Sequence, residues 1–400
     1  MKVLMLTPYL PYPLVSGGQI RTYNLLKHLS KNHDITLFSL IKDESERAHL
    51  TELKKYCKKI ELFKRTKNPF VLRNILLAGF SSYPFVVTRN LPLNMKKAVE
   101  QELYRGKYDL IHAETFYMMP NIPSTNIPII LAEQTIEYLG YQDYMKKANP
   151  IIRPLLAIDI AKIKYWERYF WQKADKLITM SEEDKQFIEK ELGTTTNTSV
   201  VANGVDLDFF SAVKKKLPKN PTVLFVGTFK WLPNIEAVEE IVKKIWPLIL
   251  KQMPNAKLKI VGFSPTDKIK AYAKEPSIQV LGGIDDIRDA FASSHALLAP
   301  IRSGKGTRYK VLEAMITGTP VVATTLAAEG LDLANGRDVL IADTSAGLAD
   351  ATVKLLRDHS LQQRLSLAGQ KVVRQGYSWD TIAKELDFVY KEFKSNTRLT

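Results

Sequence analysis

Short β-branched runs alternate with helix-like stretches along all 400 residues, a rhythm that few architectures satisfy. Seven runs come first: KVLMLTP, DITLFSL, KIELFK, LIHAE, PIILAE, KLITMS and TSVVAN. Six follow: TVLFVG, KLKIVGF, IQVLGG, ALLAPI, PVVATT and VLIAD. Strands separated by helices form parallel sheets with helical crossovers. Between the two series lies VVANGVDLDFFSAVKKKLPKNP, where an Asn203-Gly204 turn precedes a lysine- and proline-rich stretch with no apolar period. Two doubly wound, Rossmann-like α/β domains are therefore expected, over 1–205 and 206–377. A terminal helix about 378–395, with Ile382, Leu386, Val389 and Tyr390 on one face, should pack back on the first. Ligands of open parallel sheets bind beyond the carboxyl ends of strands, so a cleft between facing domains and motifs just after strands are expected.

One such motif is PIRSGKGTRYKVLEAM, Pro300 to Met315. Its SGKGT resembles the phosphate loop of an ATPase, but that loop needs a glycine where Ala299 stands and a hydroxyl residue where Gly306 stands. An ATPase loop is not expected. What remains is a strand, a loop with Gly304 and Gly306, and a helix with Thr307 as its N-cap and Gly318 as its terminator. Arg308 and Lys310 in the first turn oppose the helix dipole at roughly 0.3–1 kcal/mol each. A diphosphate on the amides of Gly306 to Arg308 would offset them, with Arg308 as a fork and Lys310 as a point charge. Two solvated cations at a helix start are the plain alternative. Glu313 is placed to accept ribose hydroxyls, or to pair with Lys310 on the surface.

Charge and composition narrow the partners. The formal charge of +15 calls for an anionic partner: nucleic acid, a membrane face or a diphosphate substrate. Lys42 to Lys107 holds 15 Lys+Arg against 7 Asp+Glu and encloses the apolar PFVLRNILLAGFSSYPFVV, 69 to 87. Cations around an apolar stretch suit an anionic lipid surface better than a duplex, although a core helix ringed by solvated lysines fits the same pattern. Cys57 is the single cysteine, which excludes an intramolecular disulfide and points to a reducing cytosol. No run approaches the ~18 apolar residues of a membrane span, and prolines break the opening run too early for a signal peptide. The histidines lack metal-ligand spacing, and Asp206-x-Asp208 falls at the linker turn, where helix capping explains it; no essential metal or other cofactor is expected.

GxGTRxKxLEAM, followed by GTPVVAT and AAEGL, resembles the second domain of nucleotide-sugar-dependent glycosyltransferases of the retaining family four, which have the two-domain GT-B architecture. SGGQIRTYNLLKHLSK, ADKLITMSEED, VVANGVD, VGTFKWLPN and the terminal YSW helix agree in order, so the resemblance spans nearly the whole chain. It implies transfer of a sugar from a nucleoside-diphosphate-sugar donor to a glycan or lipid-linked acceptor, with retention, in cell-surface polysaccharide or glycolipid synthesis. A cytoplasmic enzyme, peripheral on the inner membrane face, is the corresponding expectation. In that family an E-x7-E pair contacts the donor, and its second glutamate matches Glu313. Lys305 stands where the first belongs, so a Gly-rich subgroup is closer, in which the amides of Gly304 and Gly306 do that work.

The resemblance also brings the Gly17-Gly18 loop to the donor phosphate and acceptor. It places Lys230 after TVLFVG as a diphosphate-gripping cation, with Arg302 helping from the opposite loop. His112 ends LIHAE and is expected to face the cleft near the reacting sugar; Glu114, and Glu133 beyond the next strand, are acceptor-side candidates. Arg308, Lys310 and His112 would balance charge as the diphosphate leaves. A nucleotide-sugar epimerase or hydrolase of the same fold, and a basic nucleic-acid binder, are the alternatives. Product analysis without acceptor and salt-dependent binding to DNA or RNA separate them.

Overall fold

The computed structural model describes residues 1–396 apart from Pro69, Thr196 and Lys305. All thirteen apolar runs become strands. The first seven are Lys2–Thr7 (β1), Asp34–Ile41 (β2), Lys59–Lys64 (β3), Leu110–Glu114 (β4), Ile129–Glu133 (β5), Lys176–Thr179 (β6) and Thr198–Val200 (β7). The remaining six are Thr222–Val226 (β8), Lys257–Val261 (β9), Ile278–Leu281 (β10), Ala296–Ala299 (β11), Val321–Ala323 (β12) and Leu340–Ile341 (β13). They form two separate parallel sheets, ordered β3-β2-β1-β4-β5-β6-β7 and β10-β9-β8-β11-β12-β13. Helices cover both faces, so every residue of β4 and of β11 is buried. Strand order reverses at β1/β4 in one sheet and at β8/β11 in the other. These two switch points open crevices beyond the strand ends, where ligands of such sheets bind.

The chain divides into two compact units, Met1–Ala202 with the chain from Asp380 onward, and Asn203–Trp379. The division falls slightly before the expected residue 205. Val205 N donates to Tyr377 O at 2.7 Å, tying the linker to the end of the second unit. Gly204 is needed there, because a Cβ would lie 2.9 Å from the Trp379 ring. Asp206, the first acid of the D-x-D pair, caps the short helix Leu207–Ser211 by accepting from Phe209 N at 3.0 Å.

The terminal helix Trp379–Asn396 is anchored in the first unit by polar as well as apolar contacts. Leu386 and Tyr390 are fully buried, each worth about 1.5–3 kcal/mol on the usual scale for side-chain burial. His33 Nε2 lies 2.6 Å from Asp387 Oδ1, and Lys176 Nζ lies 2.8 Å from Glu392 Oε2.

Candidate active site

In the second unit β11 ends at Ala299 and the chain loops to residue 308 before turning helical. Gly304 and Gly306 hold φ of +88° and +93°, a region that side chains with a Cβ avoid. The helix runs Tyr309–Ile316, and its N-cap is Arg308 instead of the expected Thr307. The Thr307 hydroxyl is already taken, accepting from Asn203 Nδ2 at 3.0 Å, and the backbone reaches helical angles only two residues later. No side chain caps this start and no acid occupies its first turn, so its N–H groups keep their positive field.

Two cations and one carboxyl share this helix start. Arg308 is half-buried and donates to Gly304 O at 2.7 Å, which braces the glycine loop. Burial lowers its pKa, opposed by the nearby charge of Glu329. Lys310 Nζ donates to Asn234 Oδ1 at 2.9 Å and lies 4.3 Å above the Phe225 ring. Burial, helped by the Arg308 charge, pushes its amine down to about 7 against the pull of Glu313. Burial also pushes the Glu313 carboxyl up to about 7, opposed by Lys310. Near neutral pH the pair is therefore poised to gain or lose charge when a ligand arrives.

Asn234 was not singled out by sequence, although it closes the quoted VGTFKWLPN. Its Nδ2 donates to Thr228 O at 2.9 Å, and its side chain fills the space a Cβ on Gly227 would need. The loop after β8 is thereby tied to the loop after β11 at the switch point. Lys230 stands exposed beyond β8. Arg302 departs from expectation: its guanidinium grips Glu240 at 2.8 and 3.0 Å and donates to Asp343 O at 2.6 Å. Its charge is matched within the fold, which removes it from the donor-binding set. Lys305 lies outside the described residues.

In the first unit the switch point gathers other expected residues. Ser16 caps the helix Gly17–Leu29, and Gly18 has no room for a Cβ beside the Tyr9 hydroxyl and Gln134. Gln134 Nε2 donates to Tyr9 Oη at 2.8 Å and to Glu114 Oε2 at 2.6 Å. Burial alone would raise the pKa of Glu114, yet hydrogen bonding and charge from His112, with Arg21 and Gln134, hold it below its usual value. Tyr9, Gln134 and the fully buried Arg21 escaped the sequence reading; only the position of Gln134 just past LAE could have pointed to it.

His112 and Glu133 are corrected by the structure. His112 is wholly buried, with Nδ1 2.7 Å from Tyr390 Oη and Nε2 3.4 Å from Glu114 Oε1. Both faces of β4 are covered, and the terminal helix lies over this ring, so it does not face open solvent. Glu133 is also buried, accepting from Trp171 Nε1 at 3.1 Å. Burial and the charge of Glu167 push its carboxyl well above the ordinary range. It lies in the core instead of lining the acceptor side as expected.

No metal-holding group of His, Cys, Asp or Glu occurs among the described residues, and no helix among them is long and apolar enough to cross a membrane. Residues 15–209 match the family described as Glycosyltransferase Family 4, and residues 220–358 that described as Glycosyl transferases group 1. The chain is 28% identical to phosphatidyl-myo-inositol mannosyltransferase of Mycobacterium leprae, over 73% of this chain and 76% of that protein. Sucrose-phosphate synthase from Thermosynechococcus elongatus superposes with a TM-score of 0.72 at 18% identity, over 99% of this chain and 100% of that one. Anabaena HepE, solved in complex with UDP and glucose, gives 0.63 at 17%, over 98% and 100%. With both sheets matched by glycosyltransferase families and the fold shared along its length, the chain belongs to the family-four type of GT-B glycosyltransferases.

Proposed function

We propose that this glycosyltransferase uses a nucleoside-diphosphate sugar as donor, holds its nucleotide on the Gly304–Glu313 segment, and transfers the sugar with retention to a glycan or lipid-linked acceptor. The observation that carries this reading is the uncapped start of the Tyr309–Ile316 helix, where half-buried Arg308 and Lys310 stand together with no acid in the first turn. A diphosphate there meets aligned N–H groups, a guanidinium fork and an amine that charges as the anion approaches. Glu313, one turn along, is the group for the ribose hydroxyls. As the sugar bond breaks, charge builds on the leaving diphosphate, and these fixed donors stabilise it without a metal. Lys230 is a further donor-side cation; Arg302 is not. Support comes from HepE, whose structure holds UDP and glucose on the same fold.

The test is titration calorimetry with UDP, GDP and ADP. One of them should bind, and Arg308→Ala should weaken it by about 1.5–3 kcal/mol, the range for hydrogen bonds to charged groups. Equal affinity in parent and variant rejects the assignment. The anomeric configuration of the first product, followed by NMR, decides retention.

A further inference from the structure

The segment between β3 and β4 departs from the rest of the first unit. In the helix Leu72–Phe80 the one buried residue is the polar Asn74, bonded to Thr66 Oγ1 at 2.8 Å, while the apolar residues point outward. Leu72 is 71% exposed and Phe80 90%. A helix built inside out lacks its apolar partner, since solvent-facing helices carry the opposite pattern. A second apolar stretch lies beside it, at the start of the helix Arg153–Lys173, where Ile151 is 83% exposed and Leu155 and Ile158 are exposed too. The two are fastened together: Lys162 Nζ donates to Ala78 O and Ser81 O at 2.7 and 2.8 Å, and Phe85 N donates to Asp159 Oδ1 at 2.8 Å. Residues 66–82 and 144–158 contain five cations, Lys67, Arg73, Lys146, Lys147 and Arg153, and no carboxylate, although Lys67 and Lys146 pair at 2.8 Å with Asp43 and Asp143 outside those ranges.

At the two feet of this excursion stand Arg65 and Arg89, both half-buried. Arg65 follows β3 at its carboxyl end, and its Nη1 donates to Asn90 Oδ1 at 2.7 Å, beside Arg89. The Nε atoms of both are buried without a hydrogen-bond partner, and among the described residues neither guanidinium is in an ion pair. The carboxylates nearest them, Glu46 by Arg65 and Glu137 by Arg89, feel their charge without pairing with them, and burial pushes the Glu137 carboxyl up to about 7 against the pull of Arg89. Glu46 accepts from Lys42 N and Asp43 N at 2.7 and 3.0 Å, and Glu137 meets Thr135 Oγ1 at 3.5 Å. Two mutually repelling arginines with unpaired Nε donors, beyond the carboxyl end of a parallel strand, offer charge and hydrogen bonds to an anion. Burial and the Arg89 charge lower the pKa of Arg65 to about 10, the expected sign for a cation pair awaiting a counter-charge.

We propose that the inverted helix Leu72–Phe80 and the Ile151–Ile158 stretch dock on an anionic bilayer, and that Arg65 and Arg89 hold the phosphate of a lipid-borne acceptor presented there. The apolar side chains enter the acyl boundary and the five cations meet the headgroups. A lipid phosphate then lies at headgroup depth, beside the helix that anchors the protein. The proposal rests on the chain being a glycosyltransferase and is independent of the donor assignment.

The full chain is sedimented with vesicles of phosphatidylcholine, with and without phosphatidic acid, and titrated with soluble dihexanoyl phosphatidic acid. It should pellet with the phosphatidic acid vesicles, and Leu72→Glu with Phe80→Glu should stay in the supernatant while binding the soluble lipid as the parent does. Arg65→Gln with Arg89→Gln should bind the soluble lipid about tenfold more weakly, a loss of one decade in Kd. Arg308→Ala should bind it unchanged, which separates this site from the donor site; circular dichroism and a thermal melt of each variant report its folding. If the paired arginine variant misfolds, Arg89→Gln alone takes its place. Undiminished pelleting of the glutamate variant overturns the docking face. Unchanged lipid affinity in the arginine variant, loss in Arg308→Ala, or equal affinity for inorganic phosphate overturns the acceptor site.

Discussion

The functional weight of single residues here follows from whether the fold has already matched their charge. Arg302 and Arg308 are six positions apart on one loop, yet Arg302 is neutralised by Glu240 while Arg308 donates to Gly304 O and braces the glycine loop at the helix start. Lys310 extends the contrast, since its amine is pushed down to about 7 by burial. A bound diphosphate raises that pKa, so the complex takes up a proton near pH 7, and affinity is full below pH 7 and falls as pH rises above it. Calorimetry in buffers of different ionisation enthalpy should show this uptake, and Lys310→Met should abolish it. Arg308, Lys310 and Glu313 were legible in the sequence because their spacing along one helix start is local. The fates of Arg302 and Thr307 were not, because Glu240 and Asn203 are distant along the chain.

Among elements, the terminal helix shows most clearly how a local pattern can be right about packing and silent about chemistry. Its apolar face identified it as a helix returning to the first unit. It also delivers Tyr390 to His112 and Asp387 to His33, which turns a histidine expected to face the cleft into a buried residue. Tyr390→Phe removes the hydroxyl from a buried ring nitrogen and should destabilise the first unit by about 1–3 kcal/mol, the cost of an unsatisfied buried group. Urea unfolding followed by fluorescence measures it. The Leu72–Phe80 helix is the opposite case. Its composition allowed either a core helix or a lipid-facing one, and the burial of Asn74 with exposure of Leu72 and Phe80 rules out the core helix.

Across the whole molecule, two sheets with separate cores predict two cooperative units. Differential scanning calorimetry should resolve two transitions, and a nucleoside diphosphate at about 100 times its Kd should stabilise the one containing Arg308 by about 2.7 kcal/mol. Movement of the other transition alone would place the nucleotide in the first unit. The sequence by itself determined the thirteen strands, the two-sheet division and the cationic helix start, because apolar periodicity, glycine placement and first-turn charge act between residues close along the chain. Tertiary structure alone decided that His112 and Glu133 are buried, that Arg302 is matched, and that Arg65 and Arg89 stand together with unpaired Nε donors. Each of those outcomes depends on which distant side chain meets the group, and burial and pairing of charge are properties of that meeting.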